Sequence, residues 1–225
     1  NAPALARTAA DIYDERFVPA LFSHWGPVLC EAAAIGPGDH VLDVGCGTGA
    51  ATLAAAARAG PEGHVVGLDV NPEMLDVARR KPFPVEWRAG RAEALPFADA
   101  TFDAVLSQFA MMFFDDPAAA LHEMHRVLRP GAAMAVAVGE AGERPPSYAA
   151  LAALLDRLFG RRLGDAFRAP FALGDERRLR AICSDAGLAA ARIESRDGPV
   201  RFGSVDALVA AERACVWTLG GLLDD

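Results

Sequence analysis

The chain has 225 residues, 52% apolar and 23% charged, enough for one domain with a full hydrophobic core. Its net charge of −8 speaks against nucleic acid as the main partner, and no apolar run approaches the ~20 residues that a membrane-spanning helix needs. Cys30, Cys46, Cys183 and Cys215 lie far apart with no C-x-x-C, which disfavours a disulfide framework or zinc site and points to a reducing cytoplasm. No signal peptide is visible in residues 1–10, and the start at Asn1 rather than methionine leads us to expect further residues before it.

Residues 11–34 read as one or two helices, broken at Pro19 and around Gly26-Pro27. Phe17, Leu21, Phe22 and Trp25 fall at helical spacing. This stripe packs on a core or caps a ligand, and the second reading brings Tyr13 or His24 near that ligand. A strand over 40–44 then runs into Val44-Gly45-Cys46-Gly47-Thr48-Gly49, and an alanine-rich helix follows to about Arg58. A second strand covers 64–69. Asn71 and Pro72 are N-cap and first residue of a helix to Arg80. A third strand covers 85–89 and a fourth 102–108. Asp116-Pro117 repeats the capping signal for a helix ending at Leu128, which Arg129-Pro130-Gly131 terminates before a fifth strand over 132–138. The alternation implies a parallel sheet with right-handed crossovers.

After Gly139 the rhythm changes. Ser147 caps a helix over 148–159, an arginine-bearing loop covers 160–170, and a helix over 175–186 ends at Gly187. Residues 190–196 read as strand six, 200–202 as its extension or partner, and Ser204 as the cap of a last helix to Leu219.

A glycine turn after strand one serves two ligand classes. Gly45-Cys46-Gly47-Thr48-Gly49-Ala50 matches the dinucleotide pattern G-x-G-x-x-A literally, with Asp69 at the distance expected for a ribose contact. The other ligand is S-adenosylmethionine, which has no phosphate and carries an ammonium and a sulfonium. Asp43 inside the turn suits that cation and would repel a pyrophosphate.

The runs VLDVGCGTG, GLDVNPEML, AEALPFADATFDAV and EMHRVLRPGA stand in order between about residues 13 and 138. In these the chain resembles the class I S-adenosylmethionine-dependent methyltransferases, in the methyltransferase type 11 branch that includes the ubiquinone/menaquinone C-methyltransferases. The resemblance implies that Gly45, Gly47 and Gly49, with Cys46 among them, line the methionine part of the cofactor. It implies that Asp43 helps hold the ammonium, partly through water, and that Asp69 accepts from the ribose hydroxyls. Val70 and Met74 would flank the adenine, and the Ala92 N–H would meet a ring nitrogen. Ser107 and Gln108 would border the sulfonium and the acceptor.

Three departures stand out. Arg91 occupies the position where the family usually has an aspartate for the adenine amino group, and an arginine cannot accept that bond. The adenine is then held by backbone alone, by Glu93, or more weakly, with Arg91 facing solvent. Ala132 replaces a second glycine after Gly131, a neutral loop change. The family also closes its sheet with a seventh, antiparallel strand, so we expect the native chain to continue past Asp225 and the sheet here to show an exposed apolar edge; pairing by 200–202 is the alternative.

The expected fold class is α/β: Rossmann-like, a mostly parallel sheet flanked by helices, with an N-terminal helical cap and a helical insertion after strand five. We read residues 1–225 as a single domain. In it 35–139 form the cofactor-binding core, 1–34 and 140–187 the helical cover, and 188–225 strand six and the C-terminal helix. The implied reaction is in-line methyl transfer to a small apolar or aromatic acceptor: a quinol, a phenol or a secondary metabolite. Alternatives are a regulatory protein that binds S-adenosylmethionine or S-adenosylhomocysteine without catalysis and, more remotely, an NAD-dependent oxidoreductase. Candidate bases are His24 and Tyr13, with Gln108 as an orienting group. Phe109, Met111, Met112, Phe113 and Phe114 form an apolar cluster that packs the following loop or lines the acceptor pocket. Arg161, Arg162 and Arg168 face solvent or an anionic acceptor. His122-Glu123-Met124-His125 is not H-E-x-x-H, and no metal is expected. The partners expected are a small-molecule acceptor, no nucleic acid and no membrane span, in the cytoplasm, with oligomeric state open.

Overall fold

Val41, Leu42 and Val44 are fully buried, so both faces of β1 (His40–Val44) are covered, as its unbroken apolar run requires. A computed structural model describes residues 7–140 and 146–214. In it β1 pairs in parallel with β2 (His64–Asp69) on one side, which in turn pairs with β3 (Val85–Ala89). On its other side β1 pairs with β4 (Phe102–Gln108), and β4 pairs with β5 (Leu128–Ala137). The order is β3-β2-β1-β4-β5. The chain therefore winds outward in both directions from β1, which opens a crevice beyond the carboxyl ends of β1 and β4. Every connection in the sheet is long enough to hold a helix, and the result is the Rossmann-like α/β fold expected.

The helices are α1 (Ala9–Ile12), α2 (Trp25–Ala32), α3 (Ala50–Ala59), α4 (Pro72–Arg79), α5 (Pro117–Arg126), α6 (Pro146–Phe159), α7 (Arg161–Arg168), α8 (Glu176–Asp185) and α9 (Val205–Ala214). On one sheet face Leu29, Ile35 and Ala55 pack on Val41, Val65 and Leu106. On the other, Leu121, Met124 and Val127 pack on Leu42, Val66 and Val105. Asn71 accepts from the N–H groups of Glu73 and Met74, and Asp116 from those of Ala118 and Ala119, the expected caps of α4 and α5. Glu123 and Arg126 of α5 staple the loop before β4. Glu123 accepts from the Leu95 N–H at 2.9 Å, and Arg126 donates to the carbonyls of Leu95 (3.1 Å) and Phe97 (2.9 Å) and to Asp99 (2.6 Å). Two of the runs quoted above thus form one knot. No helix among the described residues is long and apolar enough to cross a membrane.

Four expectations are corrected. The N-terminal helix breaks at neither Pro19 nor Gly26-Pro27. Residues Tyr13–Phe22 form a π-helix that carries Pro19 inside it. Pro27 sits in the first turn of α2, where N–H groups have no intrahelical partner anyway, and the break comes at Ser23 and His24. Next, α5 stops at Arg126, and Leu128 already pairs with Phe102; the Pro-Gly pair is absorbed in β5 by a register shift before Ala133. The arginine-bearing segment is helical, as α7, with Leu163 and Phe167 buried against Ala152 and Leu155 of α6. Finally, residues 190–196 form no strand. Their arginines pair along the segment, Arg192 and Arg196 with Glu194, while Ala191 and Ile193 line the central cavity instead of meeting a sheet neighbour. Nor does 200–202 pair with a strand: the Arg201 N–H donates to the Ala20 carbonyl at 3.0 Å, and Phe202 packs edge-on against Phe17 at 5.8 Å. Among the described residues β5 is one edge of the sheet. Ser204 caps α9 through the Ala207 N–H, and the expected end of that helix at Leu219 lies outside the described residues.

Candidate active site

The glycine turn is fastened to the end of β2. The N–H groups of Gly45 and Cys46 both donate to the Leu68 carbonyl, at 2.8 and 3.0 Å. The Gly47 N–H donates to Asp69 Oδ2 at 2.7 Å, and the Asn71 N–H to Asp69 Oδ1 at 2.8 Å. One carboxylate thus ties the turn to the loop before α4, with lone pairs left on both oxygens. Burial pushes the Asp69 carboxyl up from its usual range, and backbone donors from Asn71, Gly47 and Val70 oppose this. Gly47 has φ +53 with open space where a Cβ would stand, so the backbone can meet a ligand directly. The Cys46 thiol is buried and held well above its ordinary range by burial, so it is an inert wall.

Asp43 lies beneath the turn, 1% exposed. Its Oδ2 accepts from the Thr52 hydroxyl at 2.6 Å, and its Oδ1 has no hydrogen-bond partner. Burial raises this carboxyl to about 7. Two more buried acceptor atoms without partners border the same space, Thr48 Oγ1 and Gln108 Oε1. Buried polar atoms are nearly always satisfied in a folded chain, so three around one cavity mark a place built for a polar ligand.

The cavity has a volume of about 1520 Å³. This exceeds the ~300–1,000 Å³ of an ordinary single-ligand pocket and leaves room for two molecules side by side. Gly45, Cys46, Gly47, Asp69, Val70, Met74, Ala92 and Glu93 wall one end. Val70 is 66% exposed, and Met74 is buried against Ala10 and Val77. Arg91 also borders it, but its exposed guanidinium is turned to Asp115 (2.5 Å) and Glu93 (3.3 Å). Glu93 Oε1 in turn accepts the Asp115 N–H at 2.8 Å. At the other end stand Phe22 and Trp25 of the cap, Phe109 and Met112 after β4, and Phe167 and Phe171 of the insertion. The Phe–Met cluster divides: Met111 is fully buried in the core, whereas Phe113 is 58% exposed at the cavity mouth.

Several expected site residues lie elsewhere, among them Gly49, whose Cα faces the Trp87 ring and which does not line the cavity. His24 is exposed at the start of α2, its ring edge-on to Trp25 at 5.4 Å, and it does not line the cavity. The next residue, Trp25, is turned inward instead. Ser107 is buried with its hydroxyl donating to the Val44 carbonyl at 2.8 Å; strand alternation turns it from the cavity and Gln108 toward it. Tyr13 does line the cavity, its ring stacked near Phe17 and Phe22 at 5.9 and 5.5 Å. Arg161 and Arg162 are exposed, and Arg168 pairs with Asp156 and Asp165, all outside the cavity lining. His122 and His125 are exposed on α5, and His125 borders the cavity.

Two contributors were not legible in the sequence. The extended segment 190–198 closes one side of the cavity, and a side chain at Gly198 would collide with the Trp25 ring. The other is Lys81, the only lysine in the chain. Its Nζ donates to Asp14 Oδ1 at 2.6 Å and to the Thr48 carbonyl at 2.7 Å, tying the π-helical cap to the glycine turn. Arg80 reinforces this by pairing with Asp11 at 2.5 Å. A charge-assisted hydrogen bond contributes about 1.5–3 kcal/mol. Lys81→Met is therefore expected to speed amide hydrogen exchange over residues 13–22 by about tenfold. Unchanged exchange there would show that the cap is held without the latch.

Comparison with known proteins places this geometry. A family model described as a methyltransferase domain matches residues 42–136, from β1 through most of β5. The demethylmenaquinone methyltransferase of Symbiobacterium thermophilum is 45% identical over 101 residues, 42% of this chain and 40% of that protein. That of Lysinibacillus sphaericus is 39% identical over 127 residues, 55% of this chain and 54% of that protein. The chain thus spans about half the length of the curated relatives it matches. The crystal structure of a SAM-dependent methyltransferase from Aquifex aeolicus aligns with TM-score 0.52 and 25% identity, over 68% of this chain and 88% of that one.

Proposed function

We propose, from the match of residues 42–136 to a methyltransferase domain and the likeness to a SAM-dependent methyltransferase, that the chain transfers a methyl group from S-adenosylmethionine to a small apolar or aromatic acceptor. S-adenosylmethionine supplies a methyl group already activated by a sulfonium, with a neutral leaving group. The protein's task is then alignment and exclusion of water.

The observation that carries the reading is the Asp43 Oδ1 left without a partner in the cavity that the open face of Gly47 also lines. A buried acidic oxygen at that place complements an ammonium and opposes a pyrophosphate, which sets the NAD reading aside. Asp69 would accept from the ribose hydroxyls with its remaining lone pairs, and Val70, Met74 and Ala92 would bound the adenine. Arg91, drawn off by Asp115 and Glu93, takes no part. The aromatic end of the cavity suits a ring acceptor, and the curated relatives' names put hydroquinones first among those to try.

The test is S-adenosylhomocysteine release with a panel of hydroquinones, phenols and amines. Turnover at least ~10-fold above the acceptor-free background is expected with a hydroquinone or phenol. Cofactor binding with no turnover on any member of the panel would leave a binding protein instead.

A further inference from the structure

Gln108 is the last residue of β4 and lies two positions past Leu106, the last residue of β4 that pairs with β1. Its side chain stands over the crevice between the glycine turn and the cap. Nε2 donates to the Phe22 carbonyl at 3.2 Å. A carbonyl can only accept, so this bond fixes which way round the amide sits. Oε1 is thereby turned away from the cap, and it is buried with no partner. A buried acceptor is seldom left unsatisfied in a folded chain.

The backbone beside it is also held out of its ordinary range. Phe109 has φ +50, a left-handed conformation that a bulky residue rarely adopts. The ring it positions packs against Phe22 at 5.6 Å and Trp25 at 6.0 Å, the wall from which the Gln108 amide is anchored. Strain and an unsatisfied acceptor at adjacent residues mark a position shaped for a ligand. The cofactor's cation has its own partner: Asp43 lies under the turn and is acidic, whereas Gln108 is neutral and sits on the aromatic side.

We propose that Gln108 Oε1 selects the methyl acceptor by taking a hydrogen bond from an O–H or N–H on it, so that the site favours molecules with such a donor over their capped or donor-free analogues. This rests on the methyltransferase reading above. An amide oxygen is too weak a base to remove a proton, so Gln108 is a positioning and selecting contact. The Phe22 bond gives that selection its sense, since the amide cannot turn to present a donor without losing its anchor.

The experiment uses calorimetric titration of protein saturated with S-adenosylhomocysteine. The probes are 1-naphthol, which has the donor, and 1-methoxynaphthalene, which lacks it. The wild type is expected to bind the naphthol at least ~10-fold more tightly, the size of one buried hydrogen bond. In Gln108→Met, similar in volume but without the acceptor atom, the preference is expected to fall below about twofold while S-adenosylhomocysteine still binds. Equal affinities in the wild type, no binding of either naphthalene, or a preference that survives in Gln108→Met would each overturn the inference alone. Loss of S-adenosylhomocysteine binding in Gln108→Met would also overturn it, by assigning the residue to the cofactor. Failure of the wild type to bind S-adenosylhomocysteine would overturn the methyltransferase reading and this inference with it.

Discussion

At pH 8, Asp43→Asn is expected to stabilise the cofactor-free protein by about 2–4 kcal/mol and to weaken cofactor binding at least about a hundredfold. Burial holds the Asp43 carboxyl at about 7 in the folded chain, against 3.8 for the unperturbed group. Below about pH 4 both folded and unfolded chains keep the proton, and the group costs nothing. Between about 4 and 7 the unfolded chain has lost a proton that the folded chain retains, so stability falls as pH rises. Above about 7 the whole difference, about 4 kcal/mol, stands against the fold. Asparagine has no charge to bury, and its oxygen can still accept from the Thr52 hydroxyl that Asp43 Oδ2 accepts now. The gain should therefore appear at pH 8 and vanish at pH 4, read as the change in melting temperature. Binding should move the other way, because only the carboxylate attracts an ammonium. A substitution that lowers the melting temperature at pH 8 would mean that the carboxylate is already satisfied in the unliganded protein.

Gly49→Ala carries the second large effect, a loss of about 3 kcal/mol together with the cofactor site. Gly49 has φ +92, and a Cβ on it would stand 2.5 Å from Trp87 Cη2. A left-handed alanine costs roughly 1–2 kcal/mol, and overlap with a packed ring adds about 1–3 kcal/mol. Trp87 cannot easily retreat, since it lies on β3 paired with Gly67, itself a glycine beneath that ring. Gly49 also caps α3, so displacing it moves the helix start that supports the turn. Gly38→Ala is the control: φ is +85 but nothing lies within 4 Å, so about 1 kcal/mol of backbone strain is all it should lose. Equal losses at the two positions, measured by urea unfolding, would show that the Trp87 contact is not what requires Gly49.

The first four strands were legible to the residue because short runs with apolar or β-branched residues stood between punctuating residues: Gly60 to Gly63, Asn71-Pro72 and Asp116-Pro117. The meeting of the glycine turn with Asp69 was legible for a related reason, since Asp43, the glycines and Asp69 belong to one strand–turn–helix–strand unit. What failed was what depends on distant partners. Residues 190–196 alternate like a strand, but alternation says only that one side is covered, and here the cover is a cavity wall rather than a sheet. Pro19 looked like a break because a π-helix leaves no signature in residue spacing. Nothing in the sequence around Lys81 marked it, because only the fold brings Asp14, 67 positions away, to meet it. His24 was misplaced by one position on a helix, about 100° of rotation, which is enough to exchange it with Trp25.

The most direct test of the cofactor site is a calorimetric titration of S-adenosylhomocysteine, whose ammonium is the same, into the wild-type protein at pH 6 and pH 8, each in two buffers of different ionisation heat. One molecule is expected to bind per chain, about tenfold more tightly at pH 8, with close to one proton released at pH 6 as Asp43 ionises against the ammonium. No binding at millimolar concentration, or binding of equal strength at both pH values with no proton released, would contradict the assignment of Asp43 and the turn above it to an adenosyl cation.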